Sequence, residues 1–417
     1  MVMPELKSRL VALLRWSEKY TKTDMVYLTT GGAWAILGTI VSLAISAATF
    51  LAFANLFPKE SYGTYQYILS VADIFGIFVL SGIDSSIARS TARDMEGSLI
   101  EGILTKIRWG LIGGAGAVML GSYYLAHANP VLGWGFIIAG LFIPFWETPG
   151  VYGTYLQGKK RFDLATIGDV VLQLCSALVL IPALFITNNT LIILFLYLLS
   201  AGLARVGLLL FSLWKLPPNK RRDPEMITYG KHLSVITVMS TVASSADTLI
   251  VWHLLGPVSV AIYRFSQSIP TRVIGFLKNI NRLAWPKMAA QDPEVLRRTL
   301  MHKIWLLVGV STLGALAYAI TAPFIFALFL PKYLESVRYT MVVAALIALQ
   351  PFSLISSAFS AQAKKQSLYI WSIVSPIVRI SLFLVCIPLW GLWGAVGSLI
   401  AAKVIENLLL VALFYYS

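Results

Sequence analysis

The sequence predicts an all-α integral membrane protein of about twelve transmembrane helices, arranged as two parallel six-helix lobes around a central cavity. Three observations carry that expectation: a composition too apolar for water, apolar windows of spanning length along the whole chain, and an internal repeat. Of the 417 residues, 58% are hydrophobic and only 12% charged, where soluble chains use about a quarter charged residues. A water-soluble enzyme is thereby nearly excluded. Stretches such as 31–57 and 191–214 are almost without charge, enough to cross about 30 Å of hydrocarbon at about 1.5 Å per residue.

The apolar windows fall at about 28–56, 62–84, 103–126, 131–156, 163–187, 190–214, 231–254, 258–283, 304–330, 337–360, 367–389 and 392–415. They are apolar throughout and lack the polar–apolar alternation of barrel strands, so each reads as a helix. The net charge of +14 comes from Lys and Arg between the windows, where they act as topology signals rather than as a nucleic-acid surface. One side carries Lys7, Arg9, Arg15, Lys19 and Lys22, then Arg89 and Arg93, Lys159 to Arg161, Lys220 to Arg222, Arg297, Arg298, Lys364 and Lys365. The other offers Lys59 and Lys332, so both termini are expected in the cytoplasm. Connections on that other side, such as 127–130 and 187–190, are too short for an external domain. Residues 1–24, too charged for a secretion signal, read as an amphipathic cytoplasmic segment lying on the anionic leaflet. Cys175 and Cys386 both sit within apolar spans and suggest no disulfide framework.

The halves of the chain resemble each other. Leu56, Ser61 and Tyr65 in LFPKESYGTY match Leu254, Ser259 and Tyr263 in LLGPVSVAIY at one offset. Gln157, Lys159 and Lys160 lie beside Gln362, Lys364 and Lys365, and Ile181-Pro182 beside Ile387-Pro388. Equivalent pairs fall on the same membrane side, as parallel repeats require. The expected division is 1–24, an N-lobe at 25–214, a cytoplasmic linker at 215–230 rich in Pro and charge, and a C-lobe at 231–417. Two lobes enclosing a polar seam form the architecture of an alternating-access transporter.

Ionisable side chains within spans are costly and point to function. Arg264 and Arg272 lie eight residues apart on the eighth helix, on roughly one face; Arg379 and Lys403 lie midway along the eleventh and twelfth. As cations facing a cavity they would suit a diphosphate. Pairing is the competing reading: Asp247 and Arg264 reach the same depth on antiparallel helices, and Lys403 and Glu406 are at i and i+3. Asp73, Glu147, Asp169 and Asp247 are candidates for coupling transport to sodium or protons. Glu147 sits between Pro144 and Pro149, where the helix is expected to break. His127, His232, His253 and His302 are too dispersed for a metal motif, and no metal or other cofactor is expected.

With these features in order, FPKESYGTYQYILSVADIFGIFVLSGIDSSIAR at 57–89 and YGKHLSVITVMSTVASSADTLIVWHLLGPVSVAIYRFSQSIP at 229–270 resemble a polysaccharide-biosynthesis flippase. That family belongs to the multidrug, oligosaccharidyl-lipid and polysaccharide exporter superfamily. LFLPKYLESV at 328–337 and GLWGAVGSLIAAKVIENLLL at 391–410 extend the resemblance over nearly the whole chain. It implies transfer of an undecaprenyl-pyrophosphate-linked oligosaccharide, of the O-antigen type, across a bacterial inner membrane. The implied partners are that lipid-linked glycan, membrane lipids and a polysaccharide polymerase, with the protein a monomer. The first two helices lack the cations of the lipid II branch, which argues against that substrate. A multidrug antiporter of the same superfamily is the nearest alternative, although it would favour an acidic cavity. A membrane-embedded polymerase or glycosyltransferase is a more distant one, since no outer loop is long enough to hold an acid and base over a sugar.

Overall fold

The computed structural model describes residues 25–362 and 364–416, and the amphipathic segment expected at 1–24 lies outside them. Among the described residues there are helices and turns and no strand. The helices are α1 (Met25–Leu56), α2 (Lys59–Gly76), α3 (Gly82–Ala92), α4 (Leu99–Ala126), α5 (Pro130–Glu147), α6 (Val151–Gly158), α7 (Phe162–Ile186) and α8 (Thr190–Lys215). After a joint at 216–225 come α9 (Met226–Leu255), α10 (Pro257–Ala290), α11 (Pro293–Phe329), α12 (Val337–Val343), α13 (Ala345–Leu349), α14 (Ser353–Ala361) and α15 (Lys365–Tyr416).

Among the described residues eight spans are long and apolar enough to cross a membrane, nine when α2 and α3, bent by 47° at their break, count as one. At that break Leu80 takes a left-handed φ of 59°, a conformation that ends a helix. The 52 residues of α15 supply two crossings rather than one. Gly391, at φ 57° and ψ −132°, reverses the chain, a backbone that side-chain-bearing residues rarely adopt. Beyond it Ser398 donates to the Leu382 carbonyl at 3.0 Å, and Phe383 and Ile387 pack with Ala395, Val396 and Leu399 in one buried cluster. With α1 and α10 the crossings among the described residues number twelve, as expected. Among these long crossings α10 is the least apolar, because it carries Arg264, Arg272 and Lys278.

Helix starts follow local chemistry. Asn129 accepts from Leu132 N ahead of Pro130, Asn189 from Leu191 N and Ile192 N, and Asp292 from Glu294 N ahead of Pro293. Large apolar side chains such as Met119, Phe185, Ile320 and Phe324 are more than two-thirds exposed, which suits contact with lipid and not with water.

The halves meet along α2, whose neighbours across the seam are α9 and α10; α3 continues the contact with α9. At the end bearing the short turns the seam is shut. Phe53, Phe57, Tyr62 and Tyr65 share a buried cluster with Ala261, Phe265, Phe326, Leu330 and Tyr333. Phe265 stacks on Tyr333 with centroids 3.8 Å apart, and Tyr67 stacks on Trp252 at 4.5 Å. Lys59 pairs with Glu335, and Asn55 donates to the Phe329 carbonyl at 2.9 Å. The two repeat-related turns touch directly: a Cβ on Gly63 would lie 1.9 Å from the Pro257 carbonyl oxygen.

At the opposite end the joint is stitched to the first half. Glu96, buried, pairs with Lys159 at 2.5 Å and accepts from Asn219 N at 3.0 Å. Gly97 N donates to Arg221 O at 2.7 Å, Ser90 to Asp223 at 2.8 Å, and Tyr155 to the Leu216 carbonyl at 2.7 Å. Helix α9 then starts at Met226, inside the range expected for the linker. Its first turns are also tied to α3, where Gly82 N donates to Ser234 Oγ at 3.0 Å.

Candidate functional site

A cavity of about 480 Å³ lies between α1, α2, α7, α8 and α10. Its walls carry the rings of Phe50, Phe53, Tyr62, Tyr65 and Tyr197, the amides of Gln66 and Gln173, and the hydroxyls of Ser46, Thr49 and Ser176. The charged groups lining it are Arg205 and Arg272; no described carboxylate does so. Amides, hydroxyls and aromatic faces are the groups that hydrogen-bond and stack on sugars, and arginines hold phosphate or carboxylate oxygens. The arrangement can hydrogen-bond and stack on a sugar and hold an anionic group at either arginine.

Arg272 reaches across the seam, with its guanidinium 4.4 Å from the Phe50 ring and a 3.4 Å hydrogen bond to Ser46 of α1. Arg264, a little over two turns earlier on α10, donates to Ser70 of α2 at 3.1 Å, and its buried Nε has no acceptor. Both expected α10 cations thus face the other half of the molecule.

The remaining two cations are engaged within the second half. Arg379 donates to Asp247 at 3.1 Å, so the acid expected beside Arg264 pairs with Arg379 instead. Equal depth on α9 and α10 does not set which way each side chain points around its helix, and Asp247 faces α15. It is 2% exposed and also accepts from Tyr263 at 3.0 Å and from Thr248 N at 2.7 Å. Lys403 lies 3.5 Å from Glu406, which accepts from Ser375 at 2.5 Å.

The other candidate carboxylates belong to the first half. Helix α5 ends at Glu147 after Pro144, and a 3-10 turn, Thr148–Gly150, precedes α6, so the break expected there is present. It frees the Trp146 carbonyl, which accepts from Arg205 of α8 at 2.6 Å, with the guanidinium 4.9 Å from the Trp146 ring. Asp169 is exposed and accepts from Tyr152 at 2.9 Å. Asp73 is exposed, one turn past the Ser70 that holds Arg264; Glu147 and Arg264 are the charges that act on it. Among the described residues no three His, Cys, Asp or Glu side chains converge on a space for a metal ion.

Arg205 escaped the sequence reading because one charge in the window 190–214 barely alters its average hydropathy. An arginine in a spanning helix was signal enough. Lys106 was missed in the same way: it is 1% exposed inside α4 and pairs with Asp84 of α3.

Comparison with known proteins bears on the fold and the family. A family model described as "Polysaccharide biosynthesis protein" matches residues 28–289. No curated protein sequence matches. Among solved structures, "Lipid II flippase MurJ, inward closed conformation" superposes with a TM-score of 0.70 at 12% identity, over 92% of this chain and 87% of that one. An inward-facing multidrug resistance MATE family transporter gives 0.68 at 15% identity, over 90% and 98%. An outward-facing MATE transporter gives 0.58 at 15% identity, over 91% and 92%. At such identities the likeness establishes the fold. Together the matched model and the twelve-crossing fold make this multi-pass membrane chain a member of the polysaccharide biosynthesis protein family.

Proposed function

We propose that the protein moves a polyprenyl-diphosphate-linked oligosaccharide from the inner to the outer leaflet of a bacterial inner membrane. The observation that carries this reading is the charge of the cavity wall, which presents Arg205 and Arg272 and no described carboxylate. Sugar and diphosphate cannot enter hydrocarbon without losing their hydration, whereas a polar, cationic cavity replaces it. The prenyl tail stays in lipid. Rocking of the two halves about the seam then exposes the cavity to alternate sides.

In this reading the basic end faces the cytoplasm and the shut turn end faces outward. Thiol labelling of intact cells tests that orientation: Ser61→Cys should react from outside, and Ser8→Cys and Ser417→Cys should not.

Coupling to an ion gradient falls to the first half. Asp247 is neutralised by Arg379, while Asp73 is exposed and free to exchange a proton, with Glu147 and Asp169 next in line.

The deciding experiment is flipping of a labelled lipid-linked oligosaccharide in proteoliposomes, with and without an imposed pH gradient. Accelerated transbilayer movement that requires the protein supports the reading. The five aromatic rings of the cavity would also suit flat organic cations, so export of such dyes without glycan-lipid movement would favour the multidrug antiporter instead.

A further inference from the structure

Arg205 and Arg272 belong to opposite halves and stand at matching depth. Each lies fifteen residues beyond the first residue of its helix, Thr190 of α8 and Pro257 of α10, about 22 Å from the turn end at the helical rise. They stand on separate helices, α8 and α10, and line the same cavity.

Arg205 is only partly committed. One of its nitrogens donates to the Trp146 carbonyl, and the indole covers one face of the guanidinium. No carboxylate among the described residues lies within ion-pairing distance of it. Asp84 and Asp169 act on it only at longer range. Its neighbours on the cavity wall, Gln173, Ser176 and Tyr197, are neutral hydrogen-bonding groups. When cargo displaces water from that wall, a neutral sugar would leave a guanidinium desolvated and without a carboxylate at ion-pairing distance, which is unfavourable. A planar anion matches the remaining edge of the guanidinium fork, and a carboxylate is the planar anion that sugars carry.

We infer that the glycan accepted by this cavity contains an acidic sugar, of the hexuronic acid class, whose carboxylate is bound by Arg205 while the diphosphate is held from the α10 side. This deepens the flippase reading above and rests on it. Arg205 is then a specificity-determining residue.

The test uses the full-length protein in nanodiscs and two probes that share a short prenyl diphosphate and differ in one sugar. One carries a neutral disaccharide; the other has a hexuronic acid in place of its terminal hexose. The wild-type protein should bind the acidic probe about tenfold or more tightly than the neutral one, the scale of one charge-assisted hydrogen bond. In Arg205→Gln, which removes the charge and keeps a polar side chain, the ratio should fall to about one, and Arg205→Lys should keep part of the preference. A merely structural role would weaken both probes alike and leave the ratio unchanged, which would overturn the inference. Equal affinity of the wild type for both probes would overturn it too, while leaving the flippase reading intact. If neither probe binds, the flippase reading itself fails, and this inference with it.

Discussion

The carboxylate of Asp247 on α9 accepts from Arg379 on α15 at 3.1 Å and, through the same oxygen, from the hydroxyl of Tyr263 on α10 at 3.0 Å. One buried acid thereby joins three helices of the second half. Breaking such a pair by removing one partner leaves an uncompensated charge, at a cost of about 3 to 5 kcal/mol, whereas removing both costs far less. Asp247→Asn and Arg379→Gln should each lower thermal stability markedly in detergent, and the double variant should recover most of it. Full recovery of gradient-driven flipping in the double variant would confirm that Asp247 carries no ion; stable protein without coupled flipping would return it to the coupling role.

Arg272 faces the cavity and Arg222 lies in the joint between the halves. Loss of the Arg272 guanidinium removes a charge-assisted contact to the cargo of about 1.5 to 3 kcal/mol, or roughly ten- to hundredfold in affinity. Arg272→Ala should therefore weaken binding of a prenyl-diphosphate-linked glycan by that factor. Arg222→Ala should leave it within about twofold, since surface charges away from the site have small effects. Equal binding by wild type and Arg272→Ala, in protein of normal stability, would remove Arg272 from the site.

Glu96 ties the joint to the first half through Lys159 and Asn219 N. If the joint moves as part of that half, cutting the tie should loosen it locally and leave the cavity alone. Glu96→Gln should lower stability by about 1 to 3 kcal/mol and raise amide exchange at 216–225, with exchange in α1 and α7 unchanged. Unaltered exchange across 216–225 would mean that the backbone contact from Gly97 to Arg221 suffices to hold the joint.

The crossings were legible in the sequence because lipid imposes a single requirement on every spanning segment, and length and hydropathy report it. The break at Glu147 was legible for a related reason, two prolines acting on local backbone. Side-chain direction was not. Asp247 and Arg264 share a depth, yet the rotation of α9 about its axis turns the acid towards α15 and leaves Arg264 to Ser70. Arg205 failed to register because a window average dilutes one charge, whereas the reversal within α15 was legible as the gap at Gly391 between the apolar windows 367–389 and 392–415. Which residues border the cavity depends on five helices from both halves, a relation that no local pattern encodes.

Gly63 and Pro257 offer a test of the shut seam, because their contact joins the halves at the turn end. A methyl group on Gly63 would sit 1.9 Å from the Pro257 carbonyl oxygen, too close for either backbone to absorb without movement. In a state where the halves part at that end the same methyl group would meet no such obstacle. Gly63→Ala should therefore destabilise the shut state selectively, by about 1 to 3 kcal/mol, the usual scale of overpacking. Such a bias shifts the population of the two states by roughly five- to 150-fold. The readout is a cysteine at Gln66 on the cavity wall, in a background with Cys175→Ser and Cys386→Ser, attacked by a membrane-impermeant thiol reagent added from the turn-end side. Labelling should be slow with Gly63 in place and faster by a factor in that range in the Gly63→Ala variant. Unchanged labelling at normal protein abundance would show that the aromatic cluster around Phe265 and Tyr333 keeps the end shut without the Gly63 contact, and would move the search for the gate to those rings.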